Sequence, residues 1–377
     1  MKKSLKKSRK KMNKSHPLKI LLKVVLSLLI LVVVLAAGYM GYVVLKFKRI
    51  PDNVALTAEV NSEFDSEATV KTGTEYSVLT NNLGFGAYSY DFDFFMDGGT
   101  KSWAMSEDDV YENLNGELNK LTSLDPDFML LQEIDIDSTR SYHINELEFI
   151  NLLLPEYTYT FAYNYYDSPF FIVPISEPHG TMNAGLATYS KYTIKEGLRR
   201  SLPIMNTFSK FFDLDRCYSI TRIPTENGNE LVIYNVHLSA YGSDDSVREG
   251  QTTMLFNDML AEYNNGNYVI CGGDFNHNLL LSEDTDAEFF SWAYPFPRSA
   301  VPEHFALAMD LFGEDFKNNL SMSCRDCDEP YEKGHTTEYI VDGFIVSDNI
   351  TVTSYDILNT GYLYSDHEPV YMTFLLN

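Results

Sequence analysis

Carboxylates, amides and imidazoles recur where short apolar runs stop. Tyr76–Thr80 runs into Asn81 and Asn82, Phe128–Leu131 into Gln132 and Glu133, and Leu231–Val236 into His237. Tyr268-Val269-Ile270 leads through Cys271, Gly272 and Gly273 to Asp274 and Asn276; Tyr339–Ile345 contains Asp342; Ser365-Asp366-His367 precedes a last apolar run. Oxygen donors from Asp, Glu and Asn suit a hard cation such as Mg²⁺ or Ca²⁺, whereas zinc calls for thiolates and more histidines. Two imidazoles add proton transfer or stabilisation of a charged transition state. Hydrolysis of a phosphate ester needs this mixture: a cation to neutralise phosphoryl oxygens, a carboxylate to activate water, and an imidazole to meet the charge developing at phosphorus.

Each group has an ordinary reading as well. Asn81-Asn82 reads as a turn, His237 as a hydrogen-bonded core histidine, and Asp366 as a residue bonding its own backbone. The two glycines of CGGDFNH let the chain turn tightly while Asp274 and Asn276, at i and i+2, point the same way. His277 reads as a loop residue. Six such strand ends favour convergence, because loops at one end of a rigid sheet can hold polar groups that would be costly inside it.

The elements that must position these residues alternate along the chain from Glu75. Strands are expected at Tyr76–Thr80, Phe128–Leu131, Leu186–Ser190, Tyr218–Ile223, Leu231–Leu238, Tyr268–Cys271, Tyr339–Val346 and Val370–Leu376. The capping signature Ser106-Glu107-Asp108-Asp109 opens a helix to about Leu124, and further helices fit 140–154 and 246–263. Many strands without strict βαβ alternation imply a mixed sheet or sandwich with helices outside, in one large domain.

Charge divides the chain. Residues 1–50 hold 13 of the 29 Lys and Arg and none of the 53 Asp and Glu, so 16 cations face 53 carboxylates in the remainder. Val24–Leu45 carries no charge and at ~1.5 Å per helical residue spans a ~30 Å hydrocarbon layer. It exceeds the usual signal-peptide core of about 7–15 residues and reads as a retained anchor. The basic excess in the tail 1–23 places the N-terminus in the cytoplasm and the remainder outside the cell membrane. Polar residues 46–74 read as a linker to a catalytic domain at 75–377. Cys324 and Cys327 have CxxC spacing but no second pair to complete a zinc set, so a loop thiol pair or an exported disulfide is expected.

The order of motifs over 75–377 resembles the endonuclease/exonuclease/phosphatase, or DNase I-like, superfamily. It is carried by Leu79-Thr80-Asn81-Asn82-Leu83, Leu131-Gln132-Glu133, Asn235-Val236-His237-Leu238, Gly273-Asp274-Phe275-Asn276, Val341-Asp342-Gly343-Phe344-Ile345-Val346-Ser347 and Ser365-Asp366-His367. The resemblance implies a four-layer α/β (α+β) fold, a two-sheet β-sandwich flanked by helices, preceded here by one transmembrane helix. It also implies Mg²⁺, with Mn²⁺ or Ca²⁺ as alternatives, bound by Asn82 and Glu133 with Asp366 completing the sphere. Asp274 would orient or deprotonate the attacking water and Asn276 contact the phosphate. His367, oriented by Asp342, and His237 would stabilise the transition state. Arg140 and Asn183 are further candidates for substrate contact. Asn81 stands in a slot often aromatic in the first motif, which leaves Asn81 or Asn82 to reach the metal, and Gly343 replaces a frequent aromatic.

Relatives in this superfamily act on nucleic acid, inositol lipids, sphingomyelin or nucleotide ends. An outward region this acidic repels polyanions, which disfavours tight binding of long nucleic acid. The expected substrate is a lipid head group or small phosphodiester or phosphomonoester. An extracellular nuclease and a non-catalytic surface binding module are the alternatives, and no obligate protein partner is evident. The aromatic stretch FAYNYYDSPFF (161–171) reads as sheet packing, or as a stacking or membrane-facing lip.

Overall fold

Runs of β-branched and aromatic residues form two seven-stranded sheets in the computed structural model, which describes residues 15–65, 68–211, 214–240, 245–286 and 292–377. In chain order their strands are β1 (Val54–Leu56), β2 (Glu59–Val60), β3 (Glu75–Asn82), β4 (Phe128–Asp135), β5 (Thr158–Tyr165), β6 (Ala184–Ser190) and β7 (Glu196–Ser201). There follow β8 (Cys217–Pro224), β9 (Glu230–His237), β10 (Tyr268–Asp274), β11 (Phe305–Leu307), β12 (Asp342–Ser347), β13 (Ile350–Ile357) and β14 (Val370–Leu376). One sheet runs β1-β7-β8-β9-β10-β12-β11 and the other β13-β14-β3-β4-β6-β5-β2. Only β9/β10 and β3/β4 pair in parallel within them. Parallel neighbours finish side by side, so the carboxyl ends of these four central strands deliver their last residues to one place.

Side-chain alternation sorts each strand between two cores. Val78, Phe128 and Leu130 point between the sheets to meet Ile220, Ile233, Ile270 and Phe344. Leu79, Met129, Leu131 and Tyr189 face the other way, against helices α2 (Glu107–Thr122) and α3 (Glu146–Leu153) through Val110, Leu114, Leu118 and Ile150. Helix α4 (Asp245–Asn264) buries Leu255, Phe256 and Met259 in the first core. The result is the four-layer sandwich anticipated. Ser106 caps α2 by accepting the Asp109 N–H at 3.1 Å. The helix expected from 140 starts later, because Asn145 is its cap and Tyr142 and His143 have φ of 57° and 61°.

The segment 46–74 is not a linker. β1 pairs with β7, β2 pairs with β5, and Val70 is fully buried. Arg49 and Ile50 are fixed by hydrogen bonds to Asp215. Short edge strands keep one face in water and need few apolar residues, which makes them resemble a linker in sequence. The chain divides instead after Phe47, ahead of which lies the helix Ser15–Lys46. By length and composition its Pro17–Lys46 portion can cross a membrane. Strands β5, β7 and β13 also escaped the sequence reading; β7 and β13 carry polar residues on their exposed faces, and β5 places threonines on its buried face and aromatics on its half-exposed one.

Polar bonds tie the two sheets together inside the sandwich. Gln132 Nε2 of β4 donates to Asn235 Oδ1 of β9 at 2.8 Å, and Asn235 Nδ2 donates to Ala187 O of β6 at 2.9 Å. Thr160 and Thr221 hydroxyls add a second bridge at 3.0 Å. Asn235→Ala leaves several buried groups without partners and is expected to cost about 2 to 3 kcal/mol, read as a lowered midpoint in denaturant unfolding.

Candidate active site

Asn81 and Asn82 leave β3 on opposite faces. Asn81 Nδ2 donates to Glu117 of α2 at 2.9 Å, whereas Asn82 Nδ2 lies between two acids, 3.3 Å from Glu133 Oε1 and 3.2 Å from Asp274 Oδ2. Asn82 is therefore the site residue. Gly84, with φ of 51°, donates its N–H to Asn82 Oδ1 at 3.0 Å. A Cβ on Gly84 would stand 3.1 Å from Asp366 Oδ1, so the bare glycine lets this turn lie against that carboxylate.

Glu133 sits where the β4/β6 register shifts between Leu131 and Ile134, and its φ is 53°. A bulge with a left-handed residue re-aims one side chain at a cost of order 1–3 kcal/mol. Here it turns Glu133 away from the sheet pattern. Its support is Arg140, whose guanidinium forks onto Asp135 with two bonds of 2.9 Å, lies 3.8 Å from the centre of the Phe85 ring and 3.9 Å from Glu133 Oε2. The Arg140 charge is thus committed inside the protein. Asn183 bonds the Ser138 hydroxyl and the Asp137 carbonyl, and its side-chain oxygen accepts the Asp167 N–H; it ties two loops together at the rim.

The other sheet supplies the rest. β9 and β10 pair so that His237 is opposite Asp274, and the antiparallel β10/β12 register sets Asp342 on the far side of Asp274. Gly273 cannot be replaced here: its φ is 141° and a Cβ would stand 2.1 Å from Val236 O. Asp274 accepts the Asn276 N–H at 2.8 Å and Asn276 Nδ2 at 3.1 Å, and Asn276 Nδ2 also donates to Leu238 O at 2.9 Å. His237 Nε2 is 3.5 Å from Asp274 Oδ2 and 3.9 Å from Glu133 Oε1. His367 comes from the loop before β14, with Nδ1 2.8 Å from Asp342 Oδ2 and Nε2 4.0 Å from Asp274 Oδ2.

Burial separates the titrations of these groups. Asp274 is pushed up to about 7, chiefly by burial, with His367 drawing it down and Asp342 pushing it up. His237 falls well below its ordinary value through burial and the charges of Arg216, His367 and Arg140, so its imidazole is neutral. For His367 burial opposes charge, but Asp342, Cys324 and Asp366 outweigh it and hold the imidazolium. One neutral and one charged imidazole thus flank a carboxyl poised near neutrality, a division of roles set by environment.

Among the described residues, one donor group is close enough to share a metal. Asp274, Asp342 and His367 bring ligand atoms within 4.8 Å of one another. In that set Asp342 Oδ2 is already shared by His367 Nδ1 and the Ser323 hydroxyl, which makes it an orienting pair for the imidazole. A second set, the one the resemblance implies, is Glu133, Asn82 and Asp366, all oxygen donors once the Asn82 amide, whose two ends are assigned from its neighbours, turns its oxygen inward. Hard oxygens in this second set match Mg²⁺, Mn²⁺ or Ca²⁺.

Several contacts around the site were not legible in the sequence. Ser323 donates to Asp342 at 2.8 Å and accepts the Val341 N–H, and Ser365 donates to Asn82 O at 2.7 Å, joining the last motif to the first. Arg216 stands before β8 outside any motif. Cys324 and Cys327 are free and buried rather than bridged. Their sulfurs lie 3.6 Å from His367 Nε2 and 3.3 Å from Asp366 Oδ2. The CxxC spacing was visible, its neighbours were not. His277 is buried with Nδ1 2.6 Å from Phe275 O, in a short pairing with Tyr294.

The sequence profile of the Endonuclease/Exonuclease/phosphatase family matches residues 104–367. No curated protein matches. Among solved structures, an endonuclease/exonuclease/phosphatase from Beutenbergia cavernae superposes with a TM-score of 0.56 at 14% identity, over 80% of this chain and 72% of that one. One from Bacteroides vulgatus gives 0.52 at 15% identity, over 81% and 100%. The human Nocturnin catalytic domain with bound sulfate gives 0.51 at 18% identity, over 80% and 95%. At these identities the likeness is one of fold.

A histidine whose pKa is raised on folding stabilises fully below its unfolded value, about 6.5, and that contribution is lost as pH rises through the folded value. Unfolding free energy measured in chelator should therefore fall above about pH 6.5, and Asp342→Asn should flatten the fall. An unchanged slope would show that Asp342 does not hold the imidazolium.

Proposed function

Because the chain belongs to the endonuclease/exonuclease/phosphatase family, whose name covers cleavage of phosphodiesters and phosphomonoesters, we propose that it is a metal-dependent phosphoesterase anchored in the cell membrane, with its catalytic domain outside. The observation that carries this reading is the cluster of His237, Asp274, Asp342 and His367 facing Asn82 and Glu133, buried at the ends of strands from both sheets.

In this reading Asp274 Oδ2 takes the proton of the attacking water. Asn276 holds that carboxylate through its backbone N–H and its side-chain amide, so it needs no reorganisation to act. His237, neutral, donates from Nε2 to a non-bridging phosphoryl oxygen. His367, kept charged and fixed by Asp342, stabilises the negative charge that grows as the pentavalent state forms. Asn276 contacts the phosphate from the turn after β10. A divalent cation at Glu133, Asn82 and Asp366, Mg²⁺ first and Mn²⁺ or Ca²⁺ as alternatives, supplies neutralisation of the phosphoryl oxygens when bound.

The anchor rests on the helix Ser15–Lys46 and on ten Lys and Arg before Val24 against three in the few residues after it. Of the possible substrates, a lipid head group or small phosphate ester fits the acidic outward region better than a long polyanion. An extracellular nuclease is the second reading, since a local cation site can offset a mean negative field.

The full chain should cleave bis-p-nitrophenyl phosphate or one of sphingomyelin, phosphoinositide and DNA substrates in Mg²⁺. His237→Ala, Asp274→Asn and His367→Ala should each lower turnover by about 10² or more with the thermal unfolding curve retained. Glu133→Gln should raise the Mg²⁺ needed for half-maximal rate. Binding without turnover on every substrate would leave a non-catalytic surface module on this fold.

A further inference from the structure

The folded domain takes hold of the chain directly after the apolar helix. That helix ends at Lys46, and at Arg49 the chain is already fixed: Arg49 Nε donates to Asp215 Oδ1 at 2.7 Å and the Ile50 N–H to Asp215 Oδ2 at 2.5 Å. Three residues reach at most about 10 Å. The chain between the helix and the contact with Asp215 is therefore short, whatever the helix occupies.

The surface around Asp215 continues into an exposed apolar stretch. Asp215 donates its backbone N–H to Asn164 O at 2.8 Å, two residues before Tyr166. Tyr166 is 60% exposed, Val173 56% and Ile175 87%, with Phe170 and Ile172 also exposed. The base of the stretch is firm, because Phe171 bridges to Gly180 and packs with Tyr165, Met182 and, next to Asp215, Leu214. The stretch also borders the site. The Asp167 N–H donates to Asn183, whose carbonyl accepts the Ile136 N–H at 2.7 Å three residues beyond Glu133. Arg216, the residue after Asp215, adds its charge to the burial that lowers the pKa of His237.

We propose that the stretch Tyr166–Ile175 docks on the lipid bilayer and holds the mouth of the active site against the head groups, an inference that rests on the helix being a membrane anchor. Aromatic and branched aliphatic side chains on a firm base suit the interfacial zone of a bilayer. With 53 carboxylates against 16 cations in the outward region, attraction to anionic lipid cannot drive the contact, which is apolar and insensitive to salt.

The full chain in phosphatidylcholine vesicles tests this. All four native cysteines are buried, so an environment-sensitive fluorophore can be placed at Ile175→Cys, at Val173→Cys as an independent site, and at Thr74→Cys as a reference. Thr74 is exposed just before β3, at the opposite end of that strand from Asn82. The labels at 173 and 175 should report an apolar environment and be quenched by a lipid-borne quencher, in about 0.5 M salt as well, while the label at 74 stays in water. Labels at 173 and 175 as hydrated as that at 74 would overturn the docking, as would dehydration without lipid quenching, which would mean a second copy of the chain covers them. Alkaline extraction separates the two readings: a chain stripped from the vesicles defeats the anchor itself, whereas a retained chain with hydrated labels defeats the docking alone.

Discussion

The hydrogen bond from Gln132 to Asn235 crosses the middle of the sandwich, and the site depends on what it fixes. Asn82 and Glu133 belong to one sheet; His237, Asp274 and Asp342 belong to the other. Apolar packing between sheets is tolerant of sliding, since one aliphatic contact substitutes for another. A buried amide pair is not, because displacement would leave its donors and acceptors without partners in a medium where that is costly. Gln132 is the neighbour of Glu133 and Asn235 lies two residues before His237, so the bridge registers the sheets beside the groups that must meet.

Within that frame the charges are balanced by position. Glu133 is held in a left-handed conformation at a bulge, with Arg140 behind it and Asp135 behind Arg140. Asp135 itself donates its backbone N–H to Glu146, whose carboxyl burial and the Asp135 charge keep protonated well above its usual range. On the other sheet the Asp342 carboxylate fixes His367 and is fixed by Ser323. Glu133 and His367 are thus each backed by a buried partner that limits rotation, the kind of preorganisation that electrostatic catalysis uses.

Absorption of residues 51–74 into the sheet edges changes the geometry of tethering. A flexible linker of that length would let the domain roam well away from the apolar helix. Edge strands β1 and β2, with Arg49 and Ile50 bound to Asp215, reduce the free chain to a few residues.

The sequence by itself determined which polar residues stand at the ends of the apolar strands and their order along the chain: Glu133, His237, Asp274 and His367 were recognisable because polar residues at the ends of apolar strands violate the burial pattern. It also determined the apolar helix and the central strands, whose hydrophobic periodicity is strong. The tertiary structure alone decided which of two adjacent asparagines faces inward, since a bulge or pleat changes that by one residue. It alone made edge strands of 54–60, because edges gain their partners from distant chain. The neighbours of Asp342, His367 and Asp366, namely Ser323, Cys324 and Cys327, come from a stretch with no periodicity. Arg216 acts on His237 only through space. Contacts of this kind depend on long-range register, which no local pattern encodes.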